Sequence, residues 1–555
     1  MGISPRAPRA QSGSWHRRAS RPVTVWLIVL VLVGLAHSAI PDYRWVLIHT
    51  FTLGAVTNSI VVWSQHFTES FLDQRLDHAA RPPQLRRIAL LNLGIVGTLA
   101  GQVAAVTAVT HLGAGIVAAA LLWHAWALCA QARRQRGAPL LPCVLGYVAS
   151  ALCLTVGAAI GALLASSPEG VTHDRLMQAH LILNLGGFLG LAASATLAVL
   201  FPALWGGSPR RAAPGAHPWV VLGLHLCGLC AAVPGALLGH PWVLFAGLAL
   251  YTGGWLLACA PWFRIALSAG PKGATYGSVS VTAALAWLLG CLVWFCVDVL
   301  RQGAHAAPPS TALLVGFGGQ LLVGMMSYLL PVTMRVRSAW GLRETYRAGM
   351  LRVTLTNGGL ALWLLADYSW LRVAASALAV LGMAAFLPLM VRAVRAQVGG
   401  HTQAASLSET PETPEALEAP EVPHARGGTG QVALGLSLLA LVTALCGGLA
   451  DPGGTAPGSG PGGGPETRVS VRAGDMAFEP ATVTVPRGHR LIIELRNEDS
   501  RAHDLKLTNG ARSGRVTPGR EATVDAGIIT ADVPGWCTIA GHHSRGMNFD
   551  VLVED

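Results

Sequence analysis

Residues 536–547 read WCTIAGHHSRGM and bring Cys537, His542 and Met547 into one short segment, with four residues between successive members. A histidine further upstream, His503, ends the stretch NEDSRAH. One thiolate, two imidazoles and one thioether form the soft ligand set that suits copper cycling between Cu(I) and Cu(II), and a weak axial methionine adjusts the potential. The pattern therefore predicts a mononuclear copper site.

The sequence before this site has the pattern of a β-domain. Residues 482–486 (TVTVP) and 491–495 (LIIEL) are rich in β-branched and alternating apolar residues, which is typical of half-buried antiparallel strands. Together with the ligand motif, this pattern makes residues 467–555 resemble the cupredoxins, blue copper proteins such as plastocyanin, azurin and auracyanin. The resemblance implies an all-β Greek-key sandwich. It also implies that the copper ligands are His503, Cys537, His542 and Met547.

The neighbours of the predicted thiolate narrow the chemistry. In multicopper oxidases and copper nitrite reductases, histidines beside the blue-copper cysteine bind a catalytic copper, whereas Cys537 lies between Trp536 and Thr538. A dinuclear centre would need a second cysteine in the segment, and residues 536–547 contain one. We therefore expect single-electron transfer without substrate chemistry in this domain. A second metal at His543 is the alternative, although adjacent loop residues usually point apart.

The rest of the chain has the composition of a polytopic membrane protein. The 555 residues are 52% hydrophobic and 12% charged, and the mean hydropathy is +0.49. A membrane helix needs about 20 apolar residues. Thirteen runs of suitable length are predicted, at 23–40, 45–64, 88–110, 112–132, 139–165, 176–204, 218–238, 241–262, 277–299, 311–334, 349–367, 370–394 and 431–450.

The net charge of +11 does not indicate a nucleic-acid binder, because the basic residues fall on alternate loops between the predicted helices. They concentrate in the N-terminal tail and around residues 81–87, 133–136, 210–211 and 335–347. Basic loops face the cytoplasm. The N-terminus is therefore predicted inside the cell, and an odd number of spans places the copper domain outside. Nine of the ten cysteines lie in the predicted helices, so no disulfide framework is expected.

Composition divides the chain into six parts. The two linkers are rich in Glu and Pro or in Gly and Pro, too polar to bury a core, and the second would behave as a flexible coil reaching on the order of 20 Å. The predicted parts are a basic cytoplasmic tail (1–22), a twelve-helix membrane domain (23–394), an acidic, disordered cytoplasmic linker (395–430), a thirteenth transmembrane helix (431–450), a Gly/Pro linker (451–466) and the copper domain (467–555).

A faint repeat runs through the predicted membrane domain. His49 lies near the start of the second helix and His180 near the start of the sixth, while the tenth helix has Pro309 in that position. Twelve helices in three groups of four resemble the catalytic subunit of haem-copper oxidases and nitric oxide reductases, and a related membrane family implicated in nitric oxide response. Those oxidases need a histidine pair on the tenth helix, which this sequence lacks, so oxygen reduction at a binuclear centre is excluded.

A closer likeness concerns residues 53–67 (LGAVTNSIVVWSQHF), which resemble the membrane region fused to actinobacterial copper nitrite reductases. Ionisable groups inside a bilayer are expensive and point to function. His49 and His180 could ligate a haem b or a copper near the outer face. The alternative is that they hold no cofactor and that the membrane domain is an anchor or a docking surface for another complex.

These observations predict a membrane-anchored blue-copper electron-transfer protein with one extracytoplasmic type 1 centre. We expect it to serve a respiratory or denitrification-type redox chain, with a redox protein or a quinol-linked complex as partner. One alternative is a component of a nitrite or nitric oxide reductase, which would need a catalytic metal in the membrane domain or on a partner. Another is a copper-handling or copper-delivery protein, which should carry Met or Cys pairs on several helices.

Overall fold

The structure of the protein is a computed structural model. It describes all residues except 1–11, 37–39, 41, 75, 167–169, 207–216, 335–337, 367–368, 408–427, 450–464, 500–502, 515, 540–541, 543–545 and 555. The chain divides into two compact units, one that contains the helices up to Thr443 and one that contains the C-terminal β-domain.

The described part of the helical unit consists mostly of long apolar helices. Their bounds are α1 Ser12–Leu35, α2 Tyr43–Phe71, α3 Arg81–Val103, α4 Thr107–Arg134, α5 Leu141–Ala165, α6 Gly170–Leu204, α7 His217–Leu238, α8 Pro241–Gly273, α9 Tyr276–Gln302, α10 Ser310–Thr333, α11 Ser338–Thr345, α12 Gly349–Leu365, α13 Ser369–Ala384, α14 Phe386–Leu407 and α15 Gly428–Leu449.

Helices occupy each of the thirteen predicted spans, so the prediction of a polytopic helical region is confirmed. Eleven helical spans in the described part of the chain are long and apolar enough to cross a membrane, with α13 and α14 together forming one span at Leu371–Gln397. The helices α3 and α12 are not among them. Helix α3 begins with the polar stretch RPPQLRR, and helix α12 is only 17 residues long. The third helix also ends at Val103, before the predicted boundary at 110.

The linker predicted at 395–430 overlaps the end of α14, which continues to Leu407. Gln397 in this helix is buried, and its amide donates to the backbone carbonyl of Pro331 at 3.1 Å. Burial of that polar side chain explains why the helix extends beyond the apolar run. Residues 408–427 and 450–464 of the two predicted linkers lie outside the described residues.

The predicted repeat has a counterpart in three π-helical segments. Helices α2, α6 and α10 each widen into a π-helix, at Thr50–Thr57, Ile182–Gly190 and Leu313–Gly319. Such segments are rare and are frequently found at functional sites. The three helices also line one apolar cavity, to which Val56, Leu189 and other residues contribute. The structure thus supports three related helix groups around a common centre.

The first of these groups contains a polar clamp just after its π-segment. The indole nitrogen of Trp26 donates to Asn92 Oδ1 at 2.6 Å, and the Asn92 amide donates to Asn58 Oδ1 at 2.8 Å. A side chain at Gly54 would lie 2.7 Å from the Trp26 ring, so this close approach requires glycine.

The third group repeats the clamp. Trp287 donates to Asn357 Oδ1 at 2.8 Å, and the Asn357 amide donates to Gln320 Oε1 at 2.7 Å. Gly316 approaches the Trp287 ring in the way that Gly54 approaches Trp26. The second group differs, because its π-segment ends in Leu189 and Gly190, which have no side-chain amide.

The described residues of the β-domain form eight strands. They are β1 Glu466–Gly474, β2 Ala477–Glu479, β3 Thr482–Pro486, β4 Arg490–Asn497, β5 Lys506–Leu507, β6 Glu521–Ile528, β7 Val533–Trp536 and β8 Asn548–Glu554. They form two four-stranded sheets, β2-β1-β4-β6 and β3-β8-β7-β5. The all-β prediction for this region is confirmed.

The prediction of antiparallel strands was wrong for two strand pairs. Strand β1 pairs with β4 in parallel, and β3 pairs with β8 in parallel. Alternating burial reports that one face of a strand packs on a core but carries no information about the direction of its neighbour. β3 alternates as expected, whereas β4 has a bulge at Leu491/Ile492 that interrupts its alternation.

Side chains from both sheets form the core of the β-domain. Val471 and Ile493 come from one sheet and Val551 from the other, and all are almost completely buried. Phe478 and Phe549 meet edge to face, with ring centroids 6.0 Å apart. Cys537 and Met547 belong to this same cluster, so the predicted copper site lies at the border of the core.

Candidate metal centre

Two adjacent strands place most of the predicted ligands. Cys537 directly follows β7, and Met547 directly precedes β8, which pairs with β7 in antiparallel fashion. The backbone N–H of Cys537 donates to the carbonyl of Met547 at 3.2 Å, and that of Met547 donates to the carbonyl of His542 at 3.1 Å. These bonds bring Cys537, His542 and Met547 together.

His503 reaches the same point from a different part of the chain. It follows β4 and forms an isolated bridge with Val516, with backbone bonds of 3.0 and 2.7 Å. This bridge fixes the backbone of His503 beside the loop. The structure thereby joins a residue from an upstream segment to those of the 536–547 motif.

Three of the predicted ligands converge. The ligand atoms of His503, Cys537 and His542 all lie within 4.8 Å of one another. The Cys537 Sγ is 3.5 Å from His542 Nδ1, which is 3.1 Å from His503 Nδ1. Bonds to an ion of roughly 2.0–2.3 Å, as known for nitrogen and sulfur ligands of zinc, permit ligand separations of this size. The donor atoms and their spacing fit a soft metal ion.

The centre is shielded from solvent. His503, Cys537 and Met547 are fully buried, and His542 is 8% exposed. Met547 is joined to both Cys537 and His542 by backbone bonds, as described above. The predicted axial ligand is thus adjacent to the convergent set.

A carboxylate missed by the sequence analysis orients His503. Asp499 Oδ2 lies 2.8 Å from His503 Nε2, so this ring nitrogen is engaged and Nδ1 faces the centre. Such partners fix the tautomer and orientation of metal-binding imidazoles and raise their basicity. The sequence offered only an acidic residue four positions before a histidine, and in a loop this spacing does not predict contact.

A second missed carboxylate connects the two ligand-bearing segments. Asp504 follows His503, and its two oxygens accept bonds from the backbone N–H and the hydroxyl of Thr538, which follows Cys537. The residue that follows His503 is therefore hydrogen-bonded to the residue that follows Cys537. The cross-link fixes the distance between the two parts of the site.

The thiol of Cys537 is held in its neutral form when no metal is bound. Burial raises its pKa to about 12, and hydrogen bonds from the backbone of Asp504 and Ile539 only partly oppose this. Metal binding requires the thiolate, so it must release this proton. The site thus favours a cation with a strong affinity for sulfur.

The structure also brings the two predicted membrane histidines close to each other. The ring centroids of His49 and His180 are 6.4 Å apart, at an interplanar angle of 38°. The Nδ1 of His49 is hydrogen-bonded to the backbone carbonyl of Trp45 at 2.9 Å. The imidazole of His49 also stacks on the indole ring of Trp45.

Both nitrogens of His180 have partners. Its Nδ1 bonds the carbonyl of Gly157 at 2.9 Å, and its Nε2 lies 3.0 Å from the amide of Asn184. The Nε2 of His49 therefore has no hydrogen-bond partner among the described residues, whereas both ring nitrogens of His180 are hydrogen-bonded. His543, considered for a second metal, lies outside the described residues.

Comparison with known proteins bears on the β-domain. Residues 458–534 match the family model of the Cupredoxin-like domain, which includes His503 but ends before Cys537. No curated protein matches the chain.

Three solved structures are similar to the C-terminal part of the chain. A dithionite-reduced auracyanin from the photosynthetic bacterium Roseiflexus castenholzii is 18% identical, over 17% of this chain and 100% of that one, with a TM-score of 0.16. Auracyanin B is 17% identical, over 17% and 92%, with a TM-score of 0.16. Auracyanin A, a blue copper protein from Chloroflexus aurantiacus, is 15% identical, over 16% and 99%, with a TM-score of 0.15. Values this low support no inference about function.

Proposed function

We propose that this chain is a membrane-anchored electron-transfer protein whose C-terminal cupredoxin-like domain binds one copper ion. The observation that carries the proposal is the buried convergence of His503, Cys537 and His542 at the border of the core. A copper ion held there would supply one-electron chemistry. Cys537 would provide the thiolate, the two histidines the remaining strong bonds, and Met547 the weak axial contact.

The surroundings suit repeated electron transfer. The backbone bonds among Cys537, His542 and Met547 and the link from Asp504 to Thr538 hold the ligands in place before a metal arrives. Prearranged ligands reduce the rearrangement that a change of charge would otherwise require. Burial of the sulfur keeps water away from the site.

The apolar helices support a membrane location, with the orientation proposed from the alternating basic loops. In that orientation the copper domain lies outside the cell, joined to α15 by residues 450–464. We propose a redox protein or a quinol-linked complex of a respiratory or denitrification-type chain as its partner.

The direct test is the optical and electron paramagnetic resonance spectrum of purified, copper-loaded full-length protein. We expect an intense visible thiolate-to-copper absorption that disappears in Cys537→Ser. Cys446→Ser, the same change in α15, serves as the matched control and should retain the band. An unchanged band in Cys537→Ser would contradict the proposal.

A second cofactor in the helical unit is proposed at His49 and His180. The observation in its favour is the 6.4 Å separation of their rings beside the π-segments. A haem b or metal ion there would require His180 to exchange its bond with Asn184. The test is the absorption spectrum of the reduced full-length protein, where His49→Leu combined with His180→Leu should remove any haem features and leave the copper band unchanged.

The remaining alternatives depend on this second site and on the central cavity. A reductase component would need a metal at His49 and His180. A copper-handling protein would use the thioethers of Met325 and Met326, which line the cavity. It would bind more than one copper per chain, with the excess lost in Met325→Leu combined with Met326→Leu.

A further inference from the structure

A cluster of buried polar side chains occupies the helical unit where α2, α3 and α4 lie side by side. It lies near the end of α2 and the start of α3, which the salt bridge between Arg81 and Glu69 at 2.7 Å connects. Every member of the cluster is less than a tenth exposed. The members are Ser64, Gln65, Thr68, Glu69, Gln84, Arg87, His124 and Gln131.

Hydrogen bonds connect the three helices through this cluster. Arg87 donates to Gln65 Oε1 at 3.2 Å, and Gln65 in turn donates to Gln131 Oε1 at 3.3 Å. Ser64 Oγ lies 2.9 Å from His124 Nε2. Arg87 also reaches the carbonyl of Trp123, the residue before His124, at 3.5 Å.

Four polar atoms of the cluster have no hydrogen-bond partner, and three of them can donate. The donors are Arg87 Nε, Gln84 Nε2 and Thr68 Oγ1. The fourth is His124 Nδ1, which is an acceptor, because the Ser64 hydroxyl donates to the carbonyl of Val61 at 3.4 Å and accepts from His124 Nε2. Gln84 and Arg87 share one face of α3. Thr68 directly precedes Glu69, which Arg81 connects to Gln84, so the three donors belong to the same part of the α2–α3 contact.

The amide and carboxylate oxygens of the cluster already accept hydrogen bonds. Both oxygens of Glu69 accept from Arg81, and the side-chain oxygen of Gln84 also accepts from Arg81. The oxygens of Gln65 and Gln131 accept the bonds given above. The cluster thus has a surplus of donors, and buried donors without partners are costly.

The cluster also has more positive than negative charge. Arg81 and Arg87 carry two positive charges, and Glu69 carries one negative charge that is paired with Arg81. Arg87, 5% exposed, makes its hydrogen bonds only to neutral oxygens. A buried charge without a counterion is strongly unfavourable.

We propose that this cluster binds a small monovalent inorganic anion, such as chloride, between α2, α3 and α4. The anion would accept from the free donors of Arg87, Gln84 and Thr68 and neutralise the charge of Arg87. Arg352, the other buried arginine of the described helical unit, also has one nitrogen without a partner, Nη2, but its guanidinium stacks over the Tyr276 ring at 3.8 Å and donates to two carbonyls. The proposal is independent of the copper site.

Equilibrium dialysis of purified full-length protein against radioactive chloride, with gluconate to hold the ionic strength constant, tests this site. We expect one saturable chloride per chain. Arg87→Gln, which removes the unbalanced charge, should lower the affinity at least tenfold, whereas Arg87→Lys should retain part of it. Thr68→Val keeps the shape of the side chain and removes one hydrogen-bond donor, so we expect a smaller loss of chloride affinity. This variant also tests the site if Arg87→Gln folds poorly.

Arg372→Gln removes the same charge from an exposed position on α13 and should leave chloride binding unchanged. Absence of saturable chloride in the unmodified protein would overturn the proposal and show that buried water satisfies the donors. Equal binding in the unmodified protein, Arg87→Gln and Thr68→Val would also overturn it, because the chloride would then bind elsewhere.

Discussion

The β-domain and the helical unit both bury histidines, but among the described residues a cysteine and two histidines converge as candidate metal ligands in the β-domain alone. His503 and His542 approach within 3.1 Å at their Nδ1 atoms beside the Cys537 sulfur. In the helical unit, the rings of His49 and His180 are 6.4 Å apart, and His180 bonds its own neighbours.

The difference follows from how each unit supplies its side chains. A segment between two paired strands can carry several ligands, because the pairing of β7 with β8 brings Cys537 and Met547 side by side. Helices supply each side chain from a separate element, so convergence depends on how the helices pack. Polar groups in the helical unit accordingly meet in clamps and clusters whose members come from two or three helices.

The largest expected effect contrasts the cores of the two units. Phe549→Ala should destabilise the β-domain by about 3–5 kcal/mol, because the ring is fully buried against Phe478. Phe317→Ala in α10, equally buried, should destabilise the helical unit less, because lipid is as apolar as the packed helix. Pulse proteolysis in urea with a C-terminal tag measures the first change, and loss of helicity in detergent measures the second. A larger loss of stability for Phe317→Ala than for Phe549→Ala would contradict this difference between the two cores.

The next effect concerns the carboxylate that orients a predicted ligand. Asp499→Leu removes the partner of His503 Nε2 and should lower copper affinity roughly 10–100-fold. Asp499→Asn keeps an acceptor and should lose much less. Competition with a copper chelator gives the affinity, and Asp525→Leu, on strand β6, is the matched control. Equal affinities for the Leu and Asn variants at position 499 would show that the contact does not orient the imidazole.

A smaller effect is expected from the polar clamps of the helical unit. A double-mutant cycle on Asn58 and Asn92 should give a coupling of about 0.6 kcal/mol and no more than about 1.7 kcal/mol, as for other hydrogen bonds between membrane helices. The same cycle on Gln320 and Asn357 should give a similar value, because the clamp is repeated. Unfolding of the purified protein in a denaturing detergent measures both. Clearly unequal couplings would argue against equivalent roles in the two groups.

The smallest effect is at an exposed ion pair of the β-domain. Arg490 donates to Asp525 and holds the pKa of that carboxyl below its usual value. The stabilisation is present above the unfolded pKa of about 3.9 and is lost as the pH falls through the folded pKa. Arg490→Gln should therefore move the acid-unfolding midpoint slightly to higher pH, and only slightly, because exposed pairs contribute little. A large shift in the circular dichroism midpoint would mean that the pair is more important than its exposure suggests.

The chemistry of the copper site could be predicted from residue types and spacing. Cys537, His542 and Met547 lie in one segment, and His503 was assigned through the resemblance to the cupredoxins. The structure brings three of these residues together, and their role as metal ligands stays a prediction. Asp499 and Asp504 could not be predicted, because contacts within an irregular loop follow no fixed spacing.

The repeat was only partly visible in the sequence. The positions of His49 and His180 predicted related helices, and the π-segments of α2, α6 and α10 support that relation. The clamps built on Trp26 and Trp287 escaped notice, because their members come from three different helices. Their partners are identified only when the helices are placed side by side.

The sequence alone determined the apolar helices, the polar linkers, the β-domain and the set of candidate ligands, because these depend on composition and on spacing along the chain. The tertiary structure decided the parallel pairing of β1 with β4 and of β3 with β8, the carboxylates around the centre, and the donor-rich cluster at Arg87. These features arise from contacts between residues far apart in sequence. The directions and distances of such contacts are set by packing, which the periodicity of a single segment does not record.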